Sequence, residues 1–247
     1  MRLRFWHAAV ALVVVAGCGG ELHLEKLEAD PLFERGAKEL AARHWDDAIA
    51  AFDRLTIQYP SFARLQEARF DLGQAYFGKK EYVTSAGEFD RLANDYPLGP
   101  WADDSRYMVC RSYEELSPVV QLDQEYTQSA IDHCNSLESY YPNSPFVAKA
   151  KEVVQRLTDK LATKGLLAGE YYFLRRHAYD SSLIYFEDVL KSYPTSNAAP
   201  QALLRMIQVY DKLGYKEEAQ AARERLLKDY PGSSAAKVVA VTPAAHS

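Results

Sequence analysis

Amphipathic stretches in this chain repeatedly stop at one dipeptide, Tyr-Pro. Apolar residues recur at Ala48, Ile49, Phe52 and Leu55 before Tyr59-Pro60, and at Ala86, Phe89 and Leu92 before Tyr96-Pro97. They recur at Leu183, Phe186, Val189 and Leu190 before Tyr193-Pro194, and at Ala219, Ala222 and Leu226 before Tyr230-Pro231. Tyr141-Pro142 closes a further stretch, and the five prolines are spaced by 37, 45, 52 and 37 residues. Steps of three and four place the apolar residues on one helix face. The proline then ends the helix, since it lacks an N–H and clashes with the preceding turn. A second stripe precedes each of these helices. In one unit it runs through Phe70, Leu72, Gly73, Tyr76 and Phe77 and stops at the polar turn Gly78-Lys79-Lys80-Glu81. The pattern therefore predicts an all-α chain of helix-turn-helix units.

This arrangement resembles the tetratricopeptide repeat, a two-helix unit of about 34 residues whose copies stack into a superhelix. Leu72-Gly73 and Tyr76 match its motif, with Gly73 where two helices cross closely. Alignment on the prolines gives five units, 31–60, 66–97, 101–142, 163–194 and 200–231. The third has eight extra residues, placed at Leu116 to Gln124 by the Ser-Pro break, and the fourth interval has fifteen. In that interval Pro145 to Lys160 reads as an amphipathic helix. It either runs into the fourth unit as one long helix or breaks near Gly165. Units one to three form an amino-terminal group, 31–142, and units four and five a carboxy-terminal group, 143–231. The tail 232–247 carries no further stripe and is expected to be mobile. First helices line the concave face of such a stack. By motif position it presents Phe33, Ala37 and Leu40; Phe70, Gln74 and Phe77; Tyr107, Arg111 and Glu114; Leu167, Tyr171 and Leu174; and Leu204, Gln208 and Asp211. An apolar, aromatic trough of this kind suits a segment of another polypeptide. On this reading Phe70→Asp leaves the fold intact.

The chain begins Met1-Arg2-Leu3-Arg4, followed by twelve residues, Phe5 to Ala16, in which only His7 is polar. Such a helix rises about 18 Å, short of the roughly 30 Å of bilayer hydrocarbon, so the segment reads as a secretory signal. Val15-Ala16-Gly17-Cys18 resembles the bacterial lipobox. The resemblance implies cleavage after residue 17, lipidation of Cys18 and a leader, 18–30, linking the lipid to the first unit. More than one acyl chain makes such an anchor stable, at about 0.8 kcal/mol per buried methylene. Gly19, in place of an aspartate, favours the outer membrane.

Beyond the signal the chain holds 27 basic against 34 acidic residues, a net charge of −7, without a basic block. Nucleic-acid binding requires clustered Lys and Arg and is not expected. Cys110 and Cys134 remain as a pair in an exported protein. They occupy the close-contact position of one helix and the large position of its neighbour. A disulfide and two buried thiols are both open. The histidines form no set at metal-ligand spacing, and no nucleophile elbow, P-loop or dinucleotide fingerprint occurs. No cofactor, metal or catalytic residue is expected. The acidic pairs Asp46-Asp47, Asp103-Asp104 and Glu217-Glu218 open helices, where they favour the dipole and read as caps.

With the lipobox, the segments "LFERGAKELAARHWDDAIAAFDRLTIQYP" and "YYPNSPFVAKAKEVVQRLTDKLATKGLLAGEYYFLRRHAY", and five units, the chain resembles the BamD (YfiO-type) family. These are outer-membrane lipoproteins of the β-barrel assembly machinery. The resemblance covers about residues 18 to 233. It implies a non-catalytic scaffold on the periplasmic face of the outer membrane. Its implied partners are BamA periplasmic domains, other Bam lipoproteins and unfolded outer-membrane proteins. Carried over by position, Phe33, Phe70, Gln74 and Phe77 are client-groove residues, and Tyr171, Tyr172, Arg175 and Arg176 lie near the partner contact. Tyr185 stands where some relatives place a basic residue. "YPTSNAAPQALLRM" also resembles the Tol–Pal-associated CpoB type, and a pilotin-type lipoprotein is a further alternative.

Overall fold

A computed structural model describes residues 27–241. Cys18, the signal and most of the leader lie outside the described residues. The architecture is all-α: α1 (Ala29–Ala41), α2 (Trp45–Gln58), α3 (Leu65–Gly78), α4 (Tyr82–Asp95), α5 (Ala102–Leu116), α6 (Glu125–Tyr140), α7 (Val147–Tyr171), α8 (Tyr179–Ser192), α9 (Ala199–Leu213), α10 (Lys216–Asp229) and α11 (Ser234–Val241). Consecutive helices pack on one another along the chain, and contacts that skip an element are few. This is a tetratricopeptide-type stack.

The Tyr-Pro signature acts at two levels. Each tyrosine ends its helix by leaving the helical ψ range: Tyr59, Tyr96, Tyr141, Tyr193 and Tyr230 have ψ between 50° and 67°. A following proline disfavours the α conformation in the residue before it. Three of the hydroxyls also donate to a carbonyl of the preceding segment: Tyr59 to Leu27 at 3.1 Å, Tyr141 to Pro97 at 3.0 Å and Tyr230 to Pro194 at 2.7 Å. Such bonds contribute about 1 kcal/mol each and fix the step between units.

Within a unit, close helix approach depends on small residues set under a large one. An added Cβ would lie 2.7 Å from the Phe52 ring at Gly36 and 2.7 Å from Phe89 at Gly73, and would run into the Phe186 ring at Gly169. Those three phenylalanines are fully buried. The third unit solves the same contact covalently. Cys110 and Cys134 are bridged, with Cα atoms 4.7 Å apart, within the range a disulfide requires. Eight residues, 117–124, separate α5 from α6. Lys160 of α7 pins this loop through Ser117 Oγ at 2.7 Å and the Pro118 carbonyl at 3.2 Å.

The fourth interval forms one helix. α7 runs for 25 residues without a break at Gly165 and spans about 37 Å. Ala150, Val153 and Leu157 of its first half pack with α6, and Ala162, Gly165 and Gly169 of its second half meet α8. The fourth unit also holds one residue more between its glycine and its Tyr-Pro. It absorbs that residue as a π-helical turn, Tyr172–Arg176, which ends on His177 at φ 52°.

Two expectations are corrected here. The last stripe does not end at residue 231: Ser234–Val241 is helical, with Ala235 and Ala236 buried against α9 and α10. These alanines cover the apolar edge that the last helix pair would otherwise leave open. The acidic pairs lie in the first turns of α2, α5 and α10, but none of these helices has a side-chain cap bond. They act on the dipole, and Asp46 also pairs with Lys79 at 2.8 Å.

Candidate binding surfaces

α1, the turn after it, the start of α2 and α3 line an open pocket of about 470 Å3 formed by Leu40, Arg43, Trp45, Phe70, Asp71, Gln74, Phe77 and Gly78. Its shape follows from backbone details. Arg43 adopts φ 60°, which turns the chain sharply from α1 into α2. Trp45 then opens α2, and its ring rests where a Cβ on Gly78 would be, 2.7 Å away. Asp71, Gln74 and Gly78 recur at helical spacing on α3 and so share one face. Phe70, beside Asp71, forms the floor. It is 8% exposed, 5.2 Å from Phe89 and stacked on Trp101 at 4.6 Å. Phe77 is half-buried and meets Tyr82 edge-on at 5.2 Å.

Asp71 is the unusual member. It forms no hydrogen bond or ion pair among the described residues. Burial, reinforced by the nearby Glu67 carboxylate and only partly offset by Arg64, pushes its carboxyl up to about 6. Arg64 is committed elsewhere: it bonds Glu67 at 2.9 Å and Glu34 at 3.2 Å and lies over the Phe33 ring at 3.6 Å.

The four expected groove residues therefore separate. Phe70, Gln74 and Phe77 meet in one pocket. Phe33 does not reach it: it is 2% exposed and packs 5.9 Å from Phe52 and 6.0 Å from Phe62. It faces the partner helix of its own unit, not the trough. Phe70 is likewise structural, so the expectation that Phe70→Asp spares the fold is overturned. The hydrophobic pattern does not reveal Trp45, Arg43 or Asp71 as pocket residues. Trp45 and Arg43 belong to a second helix and to the turn, outside the positions from which a first-helix stripe is read.

A second surface lies at the end of α7. Leu167, Tyr171 and Leu174 are 43%, 52% and 49% exposed. Leu167 and Tyr171, four apart on α7, share one face, and Leu174 follows in a π-helical turn. The π-helical turn carries Tyr172, whose ring stacks on Tyr185 of α8 at 5.2 Å. The two hydroxyls share a hydrogen bond that holds the Tyr185 phenol above its ordinary value. Arg175 and Arg176 follow, both exposed and without an ion pair among the described residues. Tyr171, Tyr172, Arg175 and Arg176 thus form one aromatic and basic patch. Its base is fixed by Glu170, which accepts from Arg205 of α9 at 2.7 Å.

Glu39, His44 and Asp47 place one ligand atom each within 4.8 Å of one another. Their arrangement is that of an internal ion pair. Glu39 accepts from Arg35 at 2.9 Å and from His44 at 2.7 Å, which occupies both of its oxygens. The His44 bond, aided by Arg35, holds the Glu39 carboxyl below its usual range. None of the described helices is long and apolar enough to cross a membrane.

The chain is similar to proteins of several bacteria. The outer membrane protein assembly factor BamD of Caulobacter vibrioides is 26% identical over 230 residues, covering 91% of this chain and 75% of the relative. The protein of that name from Rickettsia prowazekii is 22% identical over 223 residues, covering 90% of this chain and 88% of the relative. That from Vibrio cholerae is 22% identical over 235 residues, covering 91% and 97%. Among solved structures, the TPR2AB domain of yeast Sti1 in complex with pHSP90 is 15% identical, over 85% of this chain and 80% of that one, with a TM-score of 0.44. The family described as outer membrane lipoprotein, YfiO, matches residues 25–237, well over half of the sequence, and the chain belongs to that family.

Proposed function

We propose that this protein is a non-catalytic scaffold of the β-barrel assembly machinery, held on the periplasmic face of the outer membrane by lipid on Cys18. It brings together two kinds of polypeptide. The pocket between the first two units receives segments of unfolded outer-membrane proteins. The patch at Tyr171, Tyr172, Arg175 and Arg176 docks the periplasmic domains of the barrel-forming subunit, BamA, with other Bam lipoproteins on the same stack. The observation that carries the reading is the separation of two unlike surfaces on one stack. One is a concave aromatic pocket in units one and two; the other is an exposed aromatic and basic patch on unit four. Concave pockets with a few polar groups bind side chains, whereas rigid aromatic residues beside arginines anchor protein interfaces.

The test is recovery of partners from detergent-solubilised membranes with the tagged chain as bait. BamA is expected in the bound fraction. Recovery of Tol–Pal proteins or of a secretin in its place overturns the assignment in favour of a constriction scaffold or a pilotin. Replacement of Cys18 by Ala is expected to shift the chain from the membrane to the soluble periplasmic fraction.

A further inference from the structure

Asp71 places an unpaired carboxylate among aromatic rings, an arrangement that is costly unless something completes it. Its neighbours in the pocket are Leu40, Trp45, Phe70 and Phe77, with Gln74 one turn along the same helix. Aromatic rings that line a pocket can receive a cation over their faces. The charged groups around it leave the need unmet. On α3, Glu67 repels it, and Arg64 is bound to Glu67 and Glu34. From the turn between α1 and α2, Arg43 lines the same pocket but is exposed and unpaired with Asp71. No charged residue of α4 or α5 lines this pocket.

We propose that the pocket takes the ammonium or guanidinium group of a lysine or arginine side chain of the bound polypeptide, with Asp71 as counter-ion and Trp45, Phe70 and Phe77 as walls. This rests on the reading of the pocket as a client site and names the chemistry of its anchor. The chemistry of the pocket separates the possible occupants. A free carboxylate sets a second anion against Asp71. A purely apolar side chain removes the remaining water from Asp71 and supplies nothing in exchange. A cation satisfies the carboxylate and the ring faces together, while its methylene stem lies along Leu40. The Gln74 amide offers both a donor and an acceptor to the peptide backbone beside it.

The experiment compares two peptides of alternating Tyr and Ser, one with a central Lys and one with norleucine there, binding to the full chain. The lysine peptide is expected to bind at least about tenfold more tightly near pH 7.5, a difference of about 1.4 kcal/mol. Asp71→Asn erases the preference: the lysine peptide loses its counter-ion and binds more weakly, while the norleucine peptide, with no carboxylate left to desolvate, binds at least as tightly as it does to the native chain. The preference also fades as pH falls below about 6, where the carboxyl takes up its proton. Equal binding of the two peptides to the native chain overturns the proposal and leaves the client site standing, as does a preference that survives Asp71→Asn. A preference lost only on Arg43→Gln, with tighter binding of peptides ending in a free carboxylate, assigns the anchor to Arg43 and overturns it too. Failure of both peptides to bind removes the client site itself, and the proposal with it.

Discussion

At the scale of single residues, the most informative side chains work against the stability of the fold or behind its surface. Asp71 has a folded-state carboxyl raised to about 6, against roughly 3.9 in an unfolded chain. Ionising it therefore costs the native state more than the unfolded one. The cost is fully present above about pH 6 and is relieved as pH falls from there toward 4. A rise of that size corresponds to a ceiling of about 3 kcal/mol, and partial exposure brings this to about 2 kcal/mol or less. Asp71→Asn is thus expected to raise stability by about 1–2 kcal/mol at neutral pH, with the gain vanishing near pH 4. Denaturant unfolding of variant and parent across that range measures it. A loss of stability at neutral pH instead gives Asp71 a structural bond that the geometry lacks. Asp71 is not legible in the sequence, because an acid on an amphipathic helix ordinarily faces water. Phe33 and Phe70 are legible as apolar, but their direction is not. A stripe at three-four spacing shows that a residue is apolar, yet a first helix has apolar contacts both with its partner helix and with the trough. Gln74 and Phe77, nearer the turn, fall on the trough side; Phe33 and Phe70, nearer the start of their helices, pack inward.

At the scale of helices, the repeat is readable because its ends are chemical. Tyr-Pro stops five helices for the reason that holds in any sequence, and the helix bounds follow it. The irregular elements are harder to read. α11 has eight residues and only two small buried ones, too little for a periodic signal. The π-helical turn reflects one surplus residue, which no composition marks. The sequence leaves the cysteine pair open because the loop at 117–124 blurs register, yet Cys110 and Cys134 occupy the places of the glycine and phenylalanine in units one, two and four. The bridge closes a span of 24 residues between helices that contain no such wedge. Loop-closure entropy for that span gives about 3.5 kcal/mol. The double variant Cys110→Ala with Cys134→Ala is expected to lose about that much. Unfolding in the presence of reductant should weaken the parent to a similar degree and leave the double variant unaffected. Cys110→Gly with Cys134→Phe, in place of the alanines, rebuilds the noncovalent wedge and is expected to recover part of the loss. Equal stability of parent and double variant means that the surrounding core, with Leu137, Val153 and Leu157, already holds the unit without the bridge.

At the scale of the whole molecule, the stack holds two surfaces apart and α7 connects its halves. Arg156 of α7 reaches back to Glu114 of α5, Asp159 accepts from the backbone and side chain of Asn197, and Glu170 holds Arg205. The patch on unit four is thus mounted on a helix braced from both sides, which lowers the ordering cost of an interface built there. Tyr171 and Leu174 are about half exposed, so their outward atoms add little to folding. Tyr171→Ser with Leu174→Ser, which gives up the half of each side chain that is buried, is expected to cost about 1–2 kcal/mol of unfolding free energy. The same variant should recover several-fold less BamA from solubilised membranes. Phe173, between them in sequence, is the internal control: it is 3% exposed, and its replacement by Ala should cost about 3–5 kcal/mol. If the surface pair destabilises the chain as the control does, the patch belongs to the core of units four and five. If recovery is unchanged, the docking face lies elsewhere on the stack. A modest loss of stability with lost recovery is the combination that assigns the aromatic end of α7 to a partner. In that case the chain's long central helix serves as a rigid arm from which one surface is presented while the pocket in the first two units stays free for another.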